Sequence, residues 1–262
     1  MIRAMRTAAT GMKAQQMNVD NIANNLANVN TSGFKKSRVE FQDLFYQRSK
    51  AAGNPTAAGV DSPASLEIGY GTSPVSTQRM YSQGELVSTG NPLDLAIMGD
   101  GFFRVALPEG GEAFTRDGSF KITAEGRLMT SDGYTLDPDI AIPTDASAVT
   151  IGSDGVVAVT VGDDTMPIPV GQVELVRFVN PSGLQASGQN LFGVTPASGE
   201  AIPGVPGSEG FGRLSQGYLE VSNVDIVEEM IALIAAQRAY EVNSKSIKTS
   251  EDMMTMANNL SR

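Results

Sequence analysis

The side chains that could perform chemistry in this sequence of 262 residues are acidic or basic, because it contains neither histidine nor cysteine. Four aspartates, Asp137, Asp139, Asp163 and Asp164, suggest calcium, but they do not follow EF-hand spacing and fit solvated loops better. Residues 99–103 form a glycine motif that lacks a third glycine and a Rossmann context, so they do not predict a nucleotide site. We expect no metal, no cofactor and no catalytic residue.

The lack of histidine and cysteine also limits the classes of enzyme that this sequence can encode. It removes most zinc sites, the usual Ser-His-Asp and Cys-His systems, and the commonest general base. Carboxylate or lysine chemistry remains possible, for example in a hydrolase that cleaves peptidoglycan. The sequence singles out no pair of acids for such a reaction, so we expect a protein that is not an enzyme.

The charge and hydropathy of the chain exclude further classes. A net charge of −10 disfavours binding to nucleic acid or to anionic membranes. No run approaches the roughly 18 to 20 apolar residues of a membrane span, and the basic start lacks the apolar region of a cleaved signal peptide. Residues 1–50 are basic and the remainder is acidic, which fits either chance or a basic segment that meets an acidic surface on a neighbouring copy.

Both ends of the chain carry a seven-residue repeat of apolar residues, which is typical of paired helices. The repeat predicts long helices over residues 3–30 and about 222–260, the first ending before Gly33 and the second capped by Ser222 or Asn223. Asparagine is a poor helix former, so the first helix should be marginal without a partner. A filament subunit and a stalk within a monomer or small oligomer fit this pattern equally well.

The same repeat identifies residues expected to pack between the helices and between copies of the chain. They are Met5, Met12, Val19, Ile22, Asn24, Asn25, Leu26, Val29, Ile226, Met230, Leu233, Tyr240 and Ile247. The alternative is an ordinary monomer core. The asparagine face at Asn21, Asn24, Asn25 and Asn28 predicts hydrogen bonds between tightly packed copies or a polar channel lining, and its alternative is a solvated helix face.

Between the helices, glycine-rich turns separate short apolar runs, which predicts an antiparallel sandwich or barrel-like module. The predicted fold class is α+β, with the long N- and C-terminal helices forming a coiled-coil-like domain and with a central antiparallel β domain. The predicted organisation is a terminal helical assembly domain at 1–46 and 216–262, an extended loop at 47–65, a connecting β segment at 66–84 and the central β domain at 85–215.

Several segments resemble signatures of the bacterial flagellar rod and hook proteins, a family of axial proteins. They are residues 15–35 near the N-terminus, residues 94–103 and 115–120 in the centre, and residues 217–225 and 237–245 near the C-terminus. The resemblance covers effectively the whole chain. It implies a structural subunit that forms a helical homopolymer, whereas a surface adhesin or scaffold remains an alternative class.

Within the family, the length and the start of the chain are most similar to distal rod members, and a proximal rod or hook-type axial protein is the alternative. The resemblance implies export through the type III export apparatus, assembly beneath a rod cap, and a straight hollow shaft that crosses the periplasm and peptidoglycan and transmits torque from motor to hook. Implied partners are further copies, proximal rod proteins, the hook protein, and the P-ring and L-ring proteins.

Two shorter segments have implied roles within this resemblance. The loop at 47–65 sits where distal rod members carry an insertion associated with a straight, stiff rod. Phe41, Leu44 and Phe45 resemble an export motif of rod and hook substrates, with core packing as the alternative. Because neighbours would supply buried contacts, we also expect the terminal helices to be labile in the monomer and ordered in the polymer.

Overall fold

The computed structural model describes residues 2–50, 65–108, 110–162 and 166–260, which form two compact units. The helical unit falls within Met1–Ala27, Ser37–Gln78 and Asp225–Arg262. The β unit falls within Asn28–Lys36 and Arg79–Val224. Helices near both ends and an antiparallel β region between them confirm the α+β class.

The helical unit contains the two α-helices of the described residues, α1 (Ile2–Ala27) and α2 (Ile226–Leu260). Neither contains a proline. Asp225 caps α2, because its Oδ1 accepts hydrogen bonds from the backbone N–H groups of Val227 and Glu228, at 2.7 and 3.1 Å. The prediction of Ser222 or Asn223 as the cap is therefore wrong. None of the described helices has the length and hydropathy needed to cross a membrane.

Two strand pairs complete the helical unit. They are β1 (Ser37–Asp43) with β4 (Thr72–Arg79), and β2 (Tyr46–Lys50) with β3 (Leu66–Gly69). Residues 47–50 of the predicted loop therefore lie in β2, whereas residues 51–64 lie outside the described residues. The β2–β3 pair has backbone hydrogen bonds and an ion pair between Arg48 and Glu67, at 2.8 Å, so it forms without the apolar core whose absence suggested a loop.

The β unit contains sixteen short strands among the described residues. They are β5 (Leu86–Ser88), β6 (Leu95–Met98), β7 (Phe102–Ala106), β8 (Glu112–Thr115), β9 (Lys121–Ile122), β10 (Leu128–Met129), β11 (Thr135–Asp137), β12 (Ala146–Ile151), β13 (Val156–Val161), β14 (Ile168–Gln172), β15 (Leu175–Arg177), β16 (Gln185–Gly188), β17 (Leu191–Gly193), β18 (Ile202–Gly204), β19 (Arg213–Gln216) and β20 (Tyr218–Glu220). A 3₁₀ turn, Pro181–Gly183, precedes β16.

Antiparallel pairing joins these strands into one large sheet and several small ones. Within the described residues, the nine-stranded sheet follows the order β16-β17-β8-β7-β11-β10-β9, and β15 pairs with both β7 and β18. Strands β12, β13 and β14 form a three-stranded sheet, β19 pairs with β6, and β20 pairs with β5. The last two pairings bring the C-terminal part of the β unit back to its beginning.

Apolar residues on these strands form the core of the β unit. Phe103 and Phe120 lie edge to face, with their ring centroids 5.1 Å apart, inside a cluster of branched aliphatic residues. A second cluster is aromatic and contains Phe102, Phe114 and Phe178. Offset and edge-to-face rings add to the free energy of burial, so these clusters hold the strands in place.

The limits of the β unit differ from those predicted from the sequence. Residues 28–36 group with it rather than with α1, and it extends from 79 to 224 instead of from 85 to 215. Gly33 explains part of the difference. It has a φ of +69°, and a Cβ there would lie 2.6 Å from the backbone nitrogen of Asp117, so only glycine fits this contact within the β unit.

Replacing Phe103 by alanine should lower the free energy of unfolding by about 3 to 5 kcal/mol, because the side chain is fully buried and its loss leaves a cavity. Phe45→Ala is the matched control, since that ring is 88% exposed, and should change the free energy by less than about 0.5 kcal/mol. Urea denaturation followed by circular dichroism measures both. Equal effects would contradict the assignment of the core.

Candidate functional site

Two contacts between the helices involve small and polar residues. The Nδ2 of Asn25 on α1 donates to the Oε2 of Glu229 on α2, at 3.2 Å. At Gly11 a Cβ would lie 2.9 Å from the Nδ2 of Asn243. From Asn25 to Gly11 the chain runs 14 residues backwards, and from Glu229 to Asn243 it runs 14 forwards. The helices are therefore antiparallel, with one register for both contacts.

This register defines a contact line that repeats every seven residues on each helix. On α1 the line passes through Ala4, Gly11, Asn18 and Asn25, and on α2 through Glu229, Ala236, Asn243 and Ser250. Three of the four α2 members, Glu229, Ala236 and Ser250, are buried. Small side chains along this line allow the backbones to approach closely, as at Gly11.

The residues predicted for packing lie on and beside this line. Ile22 and Asn25 are buried. The partly buried residues are Met5, Met12, Val19, Leu26, Val29, Leu233 and Ile247, and the exposed ones are Asn24, Ile226, Met230 and Tyr240. In the single chain this set is thus not a continuous seam. Its role in packing between copies stays a prediction.

Two asparagines of α1 form hydrogen bonds with β1 inside the same unit. Asn25 donates from Nδ2 to the carbonyl oxygen of Ser37, at 2.9 Å, and its Oδ1 accepts from the N–H of Ser37, at 3.0 Å. Asn21 donates to the same carbonyl, at 2.7 Å, and accepts from the Ser37 hydroxyl, at 2.6 Å. These amides therefore fix β1 on α1, a function of the asparagine face that the sequence did not predict.

One face of α2 presents apolar side chains to solvent. We call it the α2 apolar face, and it comprises Ile226, Val227, Met230, Ile231 and Ile234. Beside it, a depression of about 400 Å³ is lined by Val19 and Tyr240 together with polar side chains. Monomeric soluble proteins rarely expose large contiguous apolar patches, which usually mark a surface for another protein. The face is therefore the candidate assembly surface.

The predicted export motif is exposed. Phe41 lies in β1 with its ring partly in solvent, Leu44 is partly buried, and Phe45 is almost fully exposed. Core packing, the alternative interpretation of these residues, therefore does not account for Phe45. A role in export stays a prediction.

The β unit contains a buried ionic cluster that sequence reasoning missed. The Nζ of Lys35 donates to the Oε1 of Glu220 at 2.6 Å, and Arg116 donates to the Oε2 of the same carboxylate at 3.3 Å. All three side chains are at most 3% exposed. Each of these residues lies in a segment that resembles a flagellar rod and hook signature. That resemblance was the sign in the sequence that could have pointed to them.

Hydrogen bonds to the backbone complete the ionic cluster. Lys35 also donates to the carbonyl of Ser82, at 2.8 Å, and Glu220 accepts from the N–H of Gly84, at 2.9 Å. Burial lowers the pKa of Lys35, and the neighbouring Arg116 lowers it further, while Glu220 opposes both effects. Burial likewise lowers the pKa of Arg116. Glu220 is thus the buried counter-charge that both cations share, and Asp100 acts on both in the same direction.

The aspartates considered for calcium do not form a metal site in the described residues, where no group of three metal-binding side chains occurs. Asp137 forms an ion pair with Arg104 at 2.7 Å, and Asp139 forms one with Arg127 at 3.2 Å. Asp163 and Asp164 lie outside the described residues. The exposed α2 apolar face instead indicates a class of protein that contacts other proteins.

Comparison with known proteins identifies the family. Residues 5–35 match the family described as flagella basal body rod protein, residues 96–159 the flagellar hook protein FlgE/F/G D1 domain, and residues 215–260 the flagellar basal body rod FlgEFG protein C-terminal family. The chain is 53% identical to the flagellar basal-body rod protein FlgG of Borreliella burgdorferi, with all of both chains covered.

Further relatives agree with these matches. The chain is 47% identical to FlgG of Caulobacter vibrioides over 99% of both chains, and 42% identical to FlgG of Bacillus subtilis over all of both chains. The chain therefore belongs to the flagellar basal-body rod protein family. This is a family of structural proteins of the flagellar basal body and not of enzymes, as the missing histidine and cysteine predicted.

Replacing Asn25 by alanine should lower the free energy of unfolding by about 2 kcal/mol, because it leaves the N–H of Ser37 and the carboxylate of Glu229 without this partner. Gln16→Ala on the same helix is the control for losing an exposed amide and should have little effect. Thermal denaturation at 222 nm measures helix loss. A neutral Asn25→Ala would contradict the proposed attachment of β1 to α1.

Glu220→Gln should destabilise the chain by about 3 to 5 kcal/mol, because two buried cations then lose their only carboxylate in the cluster. Glu112→Gln removes the same charge from an exposed ion pair with Arg104, and should cost about 1 kcal/mol or less. Urea unfolding at pH 7 compares the two variants. A loss at Glu220 no larger than at Glu112 would show that the cluster contributes no specific stability.

Proposed function

We propose that the chain polymerises into the distal flagellar rod through its α2 apolar face. The exposed isoleucines, valine and methionine of that face carry the proposal, because burial of the half of each side chain that remains exposed would contribute about 1 kcal/mol. Similarity to proteins named FlgG over the whole chain supports a rod subunit. The shaft would be straight and hollow and would transmit torque from motor to hook.

In this proposal, α1 and α2 act as a coiled-coil-like pair within each subunit. The seven-residue spacing of the contact line on both helices supports it, since such spacing keeps one face of each helix toward its partner. The contact line is composed of small and polar residues. The larger apolar side chains beside it would therefore be free to pack against neighbouring copies of the chain. The predicted packing residues, from Met5 to Ile247, would complete their burial there.

The proposed environment follows from the family. The rod would cross the periplasm and peptidoglycan, with proximal rod proteins, the hook protein, and the P-ring and L-ring proteins as neighbours. Export through the type III apparatus without a cleaved signal peptide, assembly beneath a rod cap, and an export role for Phe41, Leu44 and Phe45 belong to the same proposal. The alternative of a proximal rod or hook-type protein has weaker support, because the most similar relatives cited above are named FlgG.

Replacing Ile231 by asparagine should weaken polymerisation at least about tenfold without unfolding the monomer, because the side chain is 63% exposed in the single chain and would be buried between copies. Sedimentation velocity over a concentration series measures the association. Ile168→Asn is the matched control, since Ile168 is a similarly exposed isoleucine on β14. Equal association by the parent chain and Ile231→Asn would contradict the assigned surface.

Limited proteolysis tests whether the helices gain order in the polymer. The sequence alone suggested loss of roughly residues 1–35 and 222–262, but residues 28–36 and 222–224 belong to the β unit. In dilute monomer, cleavage should therefore remove the helices, Ile2–Ala27 and Ile226–Leu260, and leave a resistant β unit. The same digestion of isolated basal bodies should leave both ends intact, as judged by mass spectrometry of the fragments. Helices that resist cleavage in dilute monomer would instead indicate a self-sufficient fold, as expected for an adhesin or scaffold.

A further inference from the structure

Methionine is the side chain of this protein that a hydroperoxide oxidises most readily. The sequence has twelve methionines and contains neither cysteine nor tryptophan nor histidine. A two-electron oxidant converts the thioether of methionine to a sulfoxide, and thiols, which usually compete for such an oxidant, are absent from the sequence. Oxidation by a hydroperoxide therefore falls on the methionines that solvent reaches.

Met230 is the methionine of the α2 apolar face. It is 51% exposed in the single chain, so a small oxidant in solution has access to it. Ile226 lies four residues before it and Ile234 four residues after it, and both are also exposed. Residues four apart are neighbours on one side of a helix, so Met230 lies between two isoleucines in the middle of the face.

Oxidation would make the middle of this face polar. A sulfoxide oxygen accepts hydrogen bonds, but the other members of the face, Ile226, Val227, Ile231 and Ile234, are hydrocarbon side chains that have no donor. Backbone N–H groups in the interior of a helix already donate to carbonyls of the preceding turn. Burial against apolar side chains of a neighbouring copy would therefore leave the oxygen without a partner, which opposes association.

We propose that Met230 is an oxidation site that controls polymerisation through the α2 apolar face. This inference rests on the proposed function, because it concerns the surface assigned there to contacts between copies. The thioether form is buried with its isoleucine neighbours when copies associate, whereas the sulfoxide form disfavours that burial. The same contacts exclude the oxidant from Met230 after assembly, so the modification acts on the free subunit.

The oxidant is a hydroperoxide, of which hydrogen peroxide is the simplest. The sulfur of Met230 attacks one peroxide oxygen, so that a sulfur–oxygen bond forms and the oxygen–oxygen bond breaks. Sulfur gives up two electrons, and the second oxygen takes the proton of the transferred oxygen and leaves as water. Methionine sulfoxide reductases reverse the change with a dithiol, which becomes a disulfide while the sulfoxide oxygen leaves as water.

Peroxide treatment of the monomer, followed by sedimentation velocity, tests the effect on assembly. Mass spectrometry first shows that Met230 is fully oxidised. Oxidation should weaken polymerisation about tenfold or more, and reductases for both sulfoxide epimers should restore it. Undiminished polymerisation of the oxidised chain would overturn this inference alone. Failure of the untreated parent chain to polymerise would contradict the proposed function, and the inference with it.

Leucine substitutions assign the effect to one methionine. Met230→Leu nearly conserves volume and removes the sulfur, so peroxide should no longer weaken its polymerisation. Met98→Leu is the matched control, because Met98 on β6 is 50% exposed, and this variant should stay as sensitive to peroxide as the parent chain. Equal sensitivity of the two variants would show that another methionine is responsible and would overturn the assignment.

A glutamine substitution imitates the polar side chain without any oxidant. Met230→Gln should weaken polymerisation about tenfold relative to Met98→Gln, because a polar group of similar length then occupies the middle of the apolar face. Circular dichroism at 222 nm should show the same helix content in both variants, since both side chains are about half exposed. Polymerisation of Met230→Gln at the level of Met98→Gln would overturn the proposal.

Discussion

The register of α1 against α2 is the constraint on which the helical unit depends. At Gly11 a Cβ would lie 2.9 Å from the Nδ2 of Asn243, so a larger side chain there would require the Asn243 amide to move. Asn25 and Glu229 impose the same register two heptads away. A register held by small and polar groups gives specificity more than burial energy, as polar residues at helix interfaces can do.

Because small and polar residues form the contact between α1 and α2, the larger apolar residues of α2 remain exposed to solvent. The residues of α1 with a described contact to α2 here are Gly11 and Asn25, and Ala236 on α2 is buried. Larger apolar groups such as Ile231 and Ile234 are consequently turned toward solvent. In the β unit, by contrast, large apolar rings such as Phe103 and Phe114 are fully buried in core clusters. One part of the chain is thus complete alone, and the other presents a surface that a partner can cover.

The sequence predicted the larger features because they depend on periodicity. Seven-residue repeats predicted both helices, and glycine-rich turns predicted the antiparallel strands. The repeats also pointed to Ile22 and Asn25, which are buried. The contact of Gly11 with Asn243 was not predicted, because it depends on steric fit, which periodicity does not reveal.

Charged residues mark the other limit of prediction. Lys35 and Glu220 are 185 positions apart, and nothing in their local sequence indicates that they meet in the interior. A lone lysine or glutamate is ordinarily solvated, so burial can be recognised only when the fold brings the partners together. The same reasoning applies to Asn21, whose bonds to Ser37 depend on where β1 lies.

The chemical character of the α2 apolar face also has a thermal consequence. Withdrawal of apolar surface from water is driven by entropy near room temperature and carries a negative heat-capacity change. An assembly held by Ile231 and its neighbours would therefore strengthen on warming and loosen in the cold, whereas the hydrogen bond between Asn25 and Glu229 does not share that dependence. Cooling would release subunits from one another before it separated the helices within each subunit.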